Sequence, residues 1–274
     1  MNICFIGGGN MATALIGGLL GRGFTAQQIS AVEINADNRA KLQQTFGVRT
    51  TADLAAGIAG CDTIVLAVKP QQLREVAQQL APLLREHLLI SIAAGIRAVD
   101  LARWLGTQNV VRAMPNTPAL IRSGMTGLYA LPAVSPEQRE QAQDILAAAG
   151  ETLWLQDETM LDAVTAISGS GPAYVFYFIE ALQQAARDLG FNAEDARRLS
   201  LATFLGASKL AATSEEDAGV LRARVTSKNG TTERALLSLA ANQVAEHIVQ
   251  AARAAQVRSR ELGDELGGET GGKR

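Results

Sequence analysis

The chain opens on an apolar strand that runs straight into glycines and then a helix: NICFIGGGNMATAL, residues 2–15. From Gly7 through Gly9 to Ala12 it reads G-x-G-x-x-A. That pattern allows few folds. Gly7 permits a tight turn, Gly9 lets the backbone approach a pyrophosphate, and Ala12 lets helix and strand pack closely. The amides at the helix N-terminus are then free to receive phosphates. A lone motif of this kind is weak, but here it lies on the first strand of a βαβ pattern, the context it requires. The plainer alternative is a tight βα turn with no ligand. Gly7, Gly8, Gly9, Asn10 and Met11 are the candidate contacts to a dinucleotide.

The alternation continues. Candidate strands are NICFIG (Asn2–Gly7), ISAVEI (Ile29–Ile34), TIVLAVK (Thr63–Lys69), LLISIAA (Leu88–Ala94) and NVVRAM (Asn109–Met114), with helical stretches between them. Several are apolar without alternation, as in parallel strands covered on both faces. GMTGLYAL and ETLWLQ flank a helical stretch at Pro136–Ala149 and close this half near residue 156. The pattern predicts a doubly wound α/β Rossmann-type sheet over residues 1–157. From Glu158 strand signals vanish. Helix follows helix to about Leu262, with breaks at SGSGP, LGFN, TSEED and TSKNGTT. Asn192 and Ser214 each precede acidic residues, as helix N-caps do. The predicted second domain is all-helical, residues 158–274, and its glycine-rich tail, GDELGGETGGKR, is expected to be disordered.

Composition narrows the function. At 274 residues the chain has room for two domains of roughly 100–200 residues. A net charge of −2, with signs mixed, disfavours nucleic acid or a membrane surface as partner. Two histidines cannot make a His-rich metal site. Cys4 and Cys61 lie in apolar stretches and read as buried thiols. No basic leader precedes the first apolar run, and no apolar run reaches the ~18 residues of a membrane span. The expectation is a soluble, cytoplasmic protein with no metal.

Further candidates fall at strand C-termini, where such sheets bind ligands. Glu33 ends the second strand roughly 20 residues past the glycine loop, where an acid accepts from the ribose hydroxyls of NAD and repels a 2′-phosphate; the alternative is a solvent-exposed strand-end acid. Arg39, further on, is a candidate partner for such a phosphate. AVKPQ offers Ala67, Val68, Lys69 and Pro70. In RAMPNTP, two prolines flank Asn116, whose amide is a candidate to bond a carboxamide or a ribose. Ordinary turn chemistry is the alternative for both loops. In the helical half, VTSKNGTTERAL crowds hydroxyls and amides before a helix start, which suits a carboxylate. A simple cap by Thr231 or Thr232 is the alternative.

GGGNMA, LAVKPQ, MPNTP, AVTAISGSGPAYVFYFIEAL and VTSKNGTT together resemble the pyrroline-5-carboxylate reductase family, along nearly the whole chain. The resemblance implies a nicotinamide cofactor, NADPH or NADH, and reduction of the C=N bond of Δ1-pyrroline-5-carboxylate to L-proline, the last step of proline biosynthesis. It implies a homodimer through interlocked helical domains, which in many members assembles further into a decamer, with an active site that includes helical elements of the partner. Carried over residue by residue, Thr231 and Thr232 take the catalytic and substrate-holding roles, with Ser227, Gly230 and Glu215 nearby. Glu215 reads equally as a first-turn helix acid. The Ser168–Pro172 loop becomes the entrance to the first long dimerisation helix. Many members prefer NADPH and carry small or basic residues where Glu33 stands, so Glu33 points to use of NADH. Two rivals remain. One is a two-domain hydroxy-acid dehydrogenase with a helical lysine as acid–base, for which Lys209 is the only helical candidate. The other is a non-catalytic NAD(P)-binding redox sensor, against which the intact Thr226–Thr232 loop argues.

Overall fold

The computed structural model describes residues 1–268, and contacts divide it into two compact units. One is Met1–Ser170 together with the chain from Ala255 onward; the other is Gly171–Ala254. The first unit contains β1 (Ile3–Ile6), α1 (Asn10–Gly21), β2 (Ile29–Val32), α2 (Ala36–Phe46), β3 (Arg49–Thr51), α3 (Leu54–Ile58), β4 (Thr63–Leu66) and α4 (Pro70–Leu80). It continues with β5 (Leu88–Ser91), α5 (Ala98–Leu105), β6 (Val110–Met114), β7 (Gly124–Ala130), α6 (Pro136–Ala147), β8 (Gly150–Trp154) and α7 (Met160–Val164). The strands form one sheet in the order β3-β2-β1-β4-β5-β6-β7-β8. All neighbours are parallel except β6 and β7.

Every residue of β1, β2, β4 and β5 is buried, because helices cover both faces. Residue parity sorts the core into two layers. Ile3, Phe5, Ala31, Val65 and Ile90 join α1 and α6 on one face. Cys4, Ile6, Val32, Ile64, Leu66 and Leu89 join α4 and α5 on the other. This is the predicted Rossmann-type sheet, with β3 added at its edge. β3 is three polar residues, partly exposed, and carries no apolar signal. Several predicted strands ran too far at their C-termini: β1, β2, β4 and β5 stop at Ile6, Val32, Leu66 and Ser91. Each of these strands passes into a loop, and the four loops share one edge of the sheet.

The units do not divide at 157/158. Arg112, in the buried middle of β6, pairs with Glu158 at 2.9 Å, and the same carboxylate oxygen accepts from Ala98 N at 2.7 Å. α7 packs on β6 and β7. The chain therefore stays with the sheet to Ser170. The end of the last helix, α12 (Val244–Gly267), also belongs to this unit. Ser259 donates to Asp162 at 2.7 Å, and Arg103 donates to the Gly267 carbonyl at 2.7 Å. Gly263 and Gly267 are buried where a Cβ would meet Arg97 and Asp100. The tail expected to be disordered is thus helical through Gly267; its residues 269–274 lie outside the described residues.

The chain also stays helical through Ser168–Pro172, where the sequence predicts a break. Thr165–Gly169 is a π-helical turn closed by Ser170 N donating to the Thr165 carbonyl at 2.8 Å. A side chain at Gly169 would meet Met114 Cε at 2.8 Å, so glycine is what lets this turn pass the end of β6. Pro172 then lies in the first turn of the next helix, where its missing N–H costs nothing.

The second unit holds α8 (Gly171–Asp188), α9 (Ala193–Thr213), α10 (Ala218–Arg224), α11 (Thr231–Ala241) and the first part of α12. Asn192 caps α9 as expected, accepting from Asp195 N at 2.9 Å. Ser214 does not cap the next helix: it closes α9, and Asp217 starts α10. An unanticipated break, with Gln243 at positive φ, separates α11 from α12. Among the described residues of this unit only Ala196 and Ser200 are buried. Phe176, Tyr177, Leu205, Leu210, Leu237 and Val249 are exposed.

The Arg112–Glu158 pair sets a stability test. Glu158→Ala leaves a buried guanidinium uncompensated and should cost about 3–5 kcal/mol in urea unfolding. Replacing the pair together, Arg112→Met with Glu158→Leu, should recover most of it. A cost below about 1 kcal/mol for the single variant would show that water solvates Arg112.

Candidate active site

The glycine loop sits at the C-terminal edge of the sheet between β2 and β4. Gly7 has φ +104°, and a Cβ there would lie 2.8 Å from the Ala67 carbonyl oxygen. Its amide donates to the Val32 carbonyl at 2.7 Å. Only glycine fits this left-handed, close-packed corner. At Gly8 a Cβ would meet Leu42 Cδ1 at 2.7 Å. Gly9 differs: it is the N-cap of α1, and nothing lies within 4 Å of where its Cβ would be. Space therefore stands open over the start of α1. Asn10 and Met11 form that first turn, which holds no acidic residue, and Gly9 offers no side chain to cap it. First-turn amides have no intrahelical acceptors, so this end attracts an anion. Ala12 is buried against the sheet, as the motif predicts.

Glu33 comes directly after β2 and turns toward this loop. Its Oε2 accepts from Gly8 N at 2.9 Å and its Oε1 from Asn35 N at 2.8 Å. Arg39 is not free for a phosphate in the way the sequence suggested: its Nη1 donates to the carbonyls of Glu33 and Ile34, at 2.7 and 2.9 Å. After β4, Ala67 N donates to the Ile6 carbonyl at 2.8 Å and Val68 is half-buried. Lys69 is the exposed N-cap of α4, with Pro70 in its first turn, where its fixed φ suits a helix start.

Asn116 is bonded within the protein. Its Nδ2 donates to the Ser168 carbonyl at 3.1 Å and its Oδ1 accepts from Met125 N at 2.8 Å. The side chain bridges β7 to the π-turn, which fixes its orientation and leaves one N–H for another partner. The Ser168 hydroxyl beside it is enclosed with no hydrogen-bond partner among the described residues. The sequence reading missed the loop after β5: Gly95 has φ +75°, and a Cβ there would meet Leu262 Cβ at 3.2 Å. The run LLISIAA concealed it by staying apolar past the strand end.

In the second unit, Ser227–Gly230 forms a turn. Gly230 N donates to the Ser227 carbonyl at 3.0 Å, and Asn229 has φ +59°. A Cβ on Gly230 would collide with Ser227 Oγ. Gly230 is the N-cap of α11, which makes Thr231 and Thr232 its first two helical residues. The simple-cap alternative therefore fails: the cap has no side chain. Neither threonine hydroxyl has a partner among the described residues. Glu233 accepts from Asn229 N at 2.7 Å and steadies the turn. No hydrogen bond or ion pair joins Glu215 to this turn among the described residues. It sits on the exposed turn between α9 and α10, ahead of the α10 cap, so it is not a first-turn helix acid either. Its neighbour Glu216 pairs with Arg224 at 2.6 Å.

Comparison with known proteins decides the family. The chain is 50% identical over 267 residues to the pyrroline-5-carboxylate reductase of Pseudomonas aeruginosa, covering 97% of this chain and 98% of that one. This chain belongs to the pyrroline-5-carboxylate reductase family. A family model described as pyrroline-5-carboxylate reductase dimerisation matches residues 158–262. A second, described as NADP oxidoreductase, coenzyme F420-dependent, matches residues 2–95. The structure of the Coxiella burnetii reductase superposes with a TM-score of 0.91 at 40% identity, over 95% of this chain and 98% of that chain. That of the Plasmodium falciparum pyrroline carboxylate reductase, with NADP bound, gives 0.86 at 29% identity, over 96% and 98%.

Family membership fits both halves. The open cradle above Gly9 and the unopposed α1 N-terminus suit the pyrophosphate of a nicotinamide dinucleotide. The apolar side chains exposed along α8–α12 suit a dimerisation unit. Among the described residues no helix is long and apolar enough to cross a membrane.

The open space at Gly9 yields a direct test. Gly9→Val should leave the fold intact, since no protein atom opposes the new side chain. It should lower cofactor affinity at least about a hundred-fold, because the isopropyl group fills the phosphate's place. Fluorescence titration with NADH and NADPH, beside a circular dichroism melt, measures both; unchanged affinity in the folded variant defeats the assignment.

Proposed function

We propose that this chain reduces Δ1-pyrroline-5-carboxylate to L-proline with a reduced nicotinamide cofactor, closing proline biosynthesis, and that Thr231 and Thr232 hold the substrate. The observation that carries the substrate assignment is the start of α11. A side-chain-free cap, Gly230, leaves two threonine hydroxyls and the first-turn amides without partners among the described residues. Such a helix end binds a carboxylate through oriented N–H groups and the helix dipole.

The reaction asks little acid–base chemistry of the protein. When bound, the reduced nicotinamide supplies hydride to the imine carbon. If the substrate enters as its iminium, the ring nitrogen already carries its proton, and the protein's work is to orient two reactants. Thr231 and the first-turn amides take the carboxylate. The Thr232 hydroxyl accepts from the ring N–H and so fixes which face and which atom are presented. Ser227 and Gly230 shape the turn. The histidines stand apart from this role. His87 precedes β5, at the opposite edge of the sheet from the glycine loop, and its Nδ1 accepts from Arg85 N at 2.9 Å. Burial pushes its pKa down. His247 is exposed on α12.

Gly7–Met11, Glu33 and the Ala67–Pro70 loop would hold the cofactor. Glu33 supports use of NADH. A 2′-phosphate beside a carboxylate is repelled by about 1–4 kcal/mol per unit charge near 4 Å, less where salt screens it. The helical unit forms the homodimer, and the decamer implied by the family resemblance would be built from such dimers. Two free cysteines fit a reducing cytoplasm.

Two experiments test this reading. Glu33→Ser should raise the NADPH/NADH ratio of kcat/KM by about ten-fold or more; an unchanged ratio would mean Glu33 serves only the loop. Thr232→Ala should lower kcat/KM for the imine about ten- to a hundred-fold, the worth of one hydroxyl bonded to an ionic substrate, with cofactor affinity near normal. Thr232→Ser should keep most activity. A Thr232→Ala enzyme with full kcat/KM would leave Thr231 and the backbone amides as the anchor.

A further inference from the structure

The edge of the sheet opposite the glycine loop carries a chemical cluster that the reduction does not use. Cys4, in β1, is fully buried and pairs in register with Ser30 of β2. Cys61 lies in the turn from α3 to β4. Its Sγ is 3.5 Å from Ser30 Oγ and 3.7 Å from the Gly57 carbonyl oxygen. Ser30 Oγ donates to that same carbonyl at 2.8 Å. Gly57 also lies over Cys4: a Cβ there would be 3.6 Å from Cys4 Sγ. The two sulfurs thus lie on either side of Gly57 and Ser30: Cys61 Sγ against the Gly57 carbonyl and Ser30 Oγ, Cys4 Sγ beneath Gly57 and directed to the Phe5 carbonyl at 3.9 Å. The Arg49 guanidinium closes the group, its Nη2 donating to the Gly57 and Ala59 carbonyls at 3.2 and 3.5 Å.

The two thiols differ in access and in charge. Cys61, Ser30 and Arg49 line a surface cavity of about 590 Å³, whereas Cys4 has no exposed surface. The neighbouring Cys4 thiol, with Ser30 and Arg49, holds the Cys61 thiol down at about 6 against partial burial. Cys4 is pushed up by its neighbour Cys61 and by burial, and keeps its proton. A thiolate facing an open, cation-flanked cavity with a protonated thiol behind it is the arrangement of an attacking and a resolving cysteine.

We propose that Cys61 and Cys4 form a peroxide-responsive redox pair, in which Cys61 is oxidised from the cavity and Cys4 closes a reversible disulfide with it. Hydrogen peroxide is the oxidant. The Cys61 thiolate attacks one peroxide oxygen, the O–O bond breaks, and hydroxide leaves, giving Cys61 sulfenic acid. Cys4 sulfur then attacks Cys61 sulfur; its proton and the sulfenic OH leave as water. The two sulfurs lose two electrons in all and the peroxide gains them. A dithiol reductant reverses the change by thiol–disulfide exchange. Such a transient disulfide is the kind expected in a reducing compartment.

Peptide mapping of the whole protein without reductant, before and after hydrogen peroxide, is the test. Wild-type protein should show a cross-linked peptide joining residues 4 and 61 within one chain, an intact mass lower by two hydrogens, and full reversal by dithiothreitol. Before oxidation, iodoacetamide should label Cys61 at least about ten-fold faster than Cys4. Cys4→Ala should leave Cys61 as a lasting sulfenic acid that dimedone traps; Cys61→Ser should abolish both label and cross-link. Removing buried Cys4 opens a small cavity, so the wild-type map is read independently of that variant. Dimedone label on Cys4, cross-links only between chains, or oxidation of Cys61 straight to sulfinic acid in the wild type would each overturn the proposal.

Discussion

The corner at Gly7 is the contact on which the rest of the first unit depends. Its backbone turns left-handed and presses against the Ala67 carbonyl, closer than any side chain would permit. That approach aligns the ends of β1, β2 and β4. The Gly7 amide is held by Val32, Ala67 N by Ile6, and two helix N-termini emerge side by side from the edge so formed. One of them, α1, begins at a glycine with open space above it. A single backbone conformation thus converts a buried parallel sheet into a place where anionic groups gain from unopposed amides.

Most of the sheet could be read from the chain because its physics is local in sequence. Strands buried on both faces must be apolar throughout, and Ile3–Ile6 or Leu88–Ser91 show little else. What escaped has equally definite causes. β3 is three polar residues held by pairing with β2 alone, which no apolar pattern announces. The SGSGP run reads as a break between helices, yet its glycine serves contact with Met114, a residue more than fifty positions away, and the chain stays helical by widening one turn. Gly263 and Gly267 look like a disordered tail for the same reason; they are small because α12 lies against Arg97 and Asp100. Glycine marks either freedom or close approach, and only the neighbour in space tells which.

The site residues divide in the same way. Where a motif requires a backbone conformation, as at Gly7 and Asn229, the residue type already carried the answer. Where a role depends on which partner a side chain finds, sequence left it open. Asn116 has the chemistry to read a ligand, but Ser168 and Met125 take one N–H and the oxygen of its amide. Arg39 has the charge to bind phosphate, but two carbonyls engage it. Ser214 and the acids after it resemble a helix start, but the helix waits for Asp217. The second unit adds a different limit. Its amphipathic helices leave Phe176, Tyr177, Leu205 and Leu237 exposed, as the expected dimerisation unit requires, and which of them meet another copy is not written in their periodicity.

If Glu33 reads the ribose as proposed, it ties cofactor choice to loop geometry. Its carboxylate accepts from Gly8 N, between the left-handed corner at Gly7 and the open cap at Gly9, while its second oxygen accepts from Asn35 N at the start of α2. The same group that would read a ribose hydroxyl therefore also holds the phosphate loop to the end of β2. A ribose that draws one carboxylate oxygen away releases the Gly8 amide at the moment a phosphate needs donors. A 2′-phosphate would repel the carboxylate and free that amide too, but by displacing the whole side chain from α2. On the proposed reading, discrimination between the two cofactors would be carried by the difference between sharing Glu33 and expelling it. A small residue at this position removes that difference together with the restraint on Gly8.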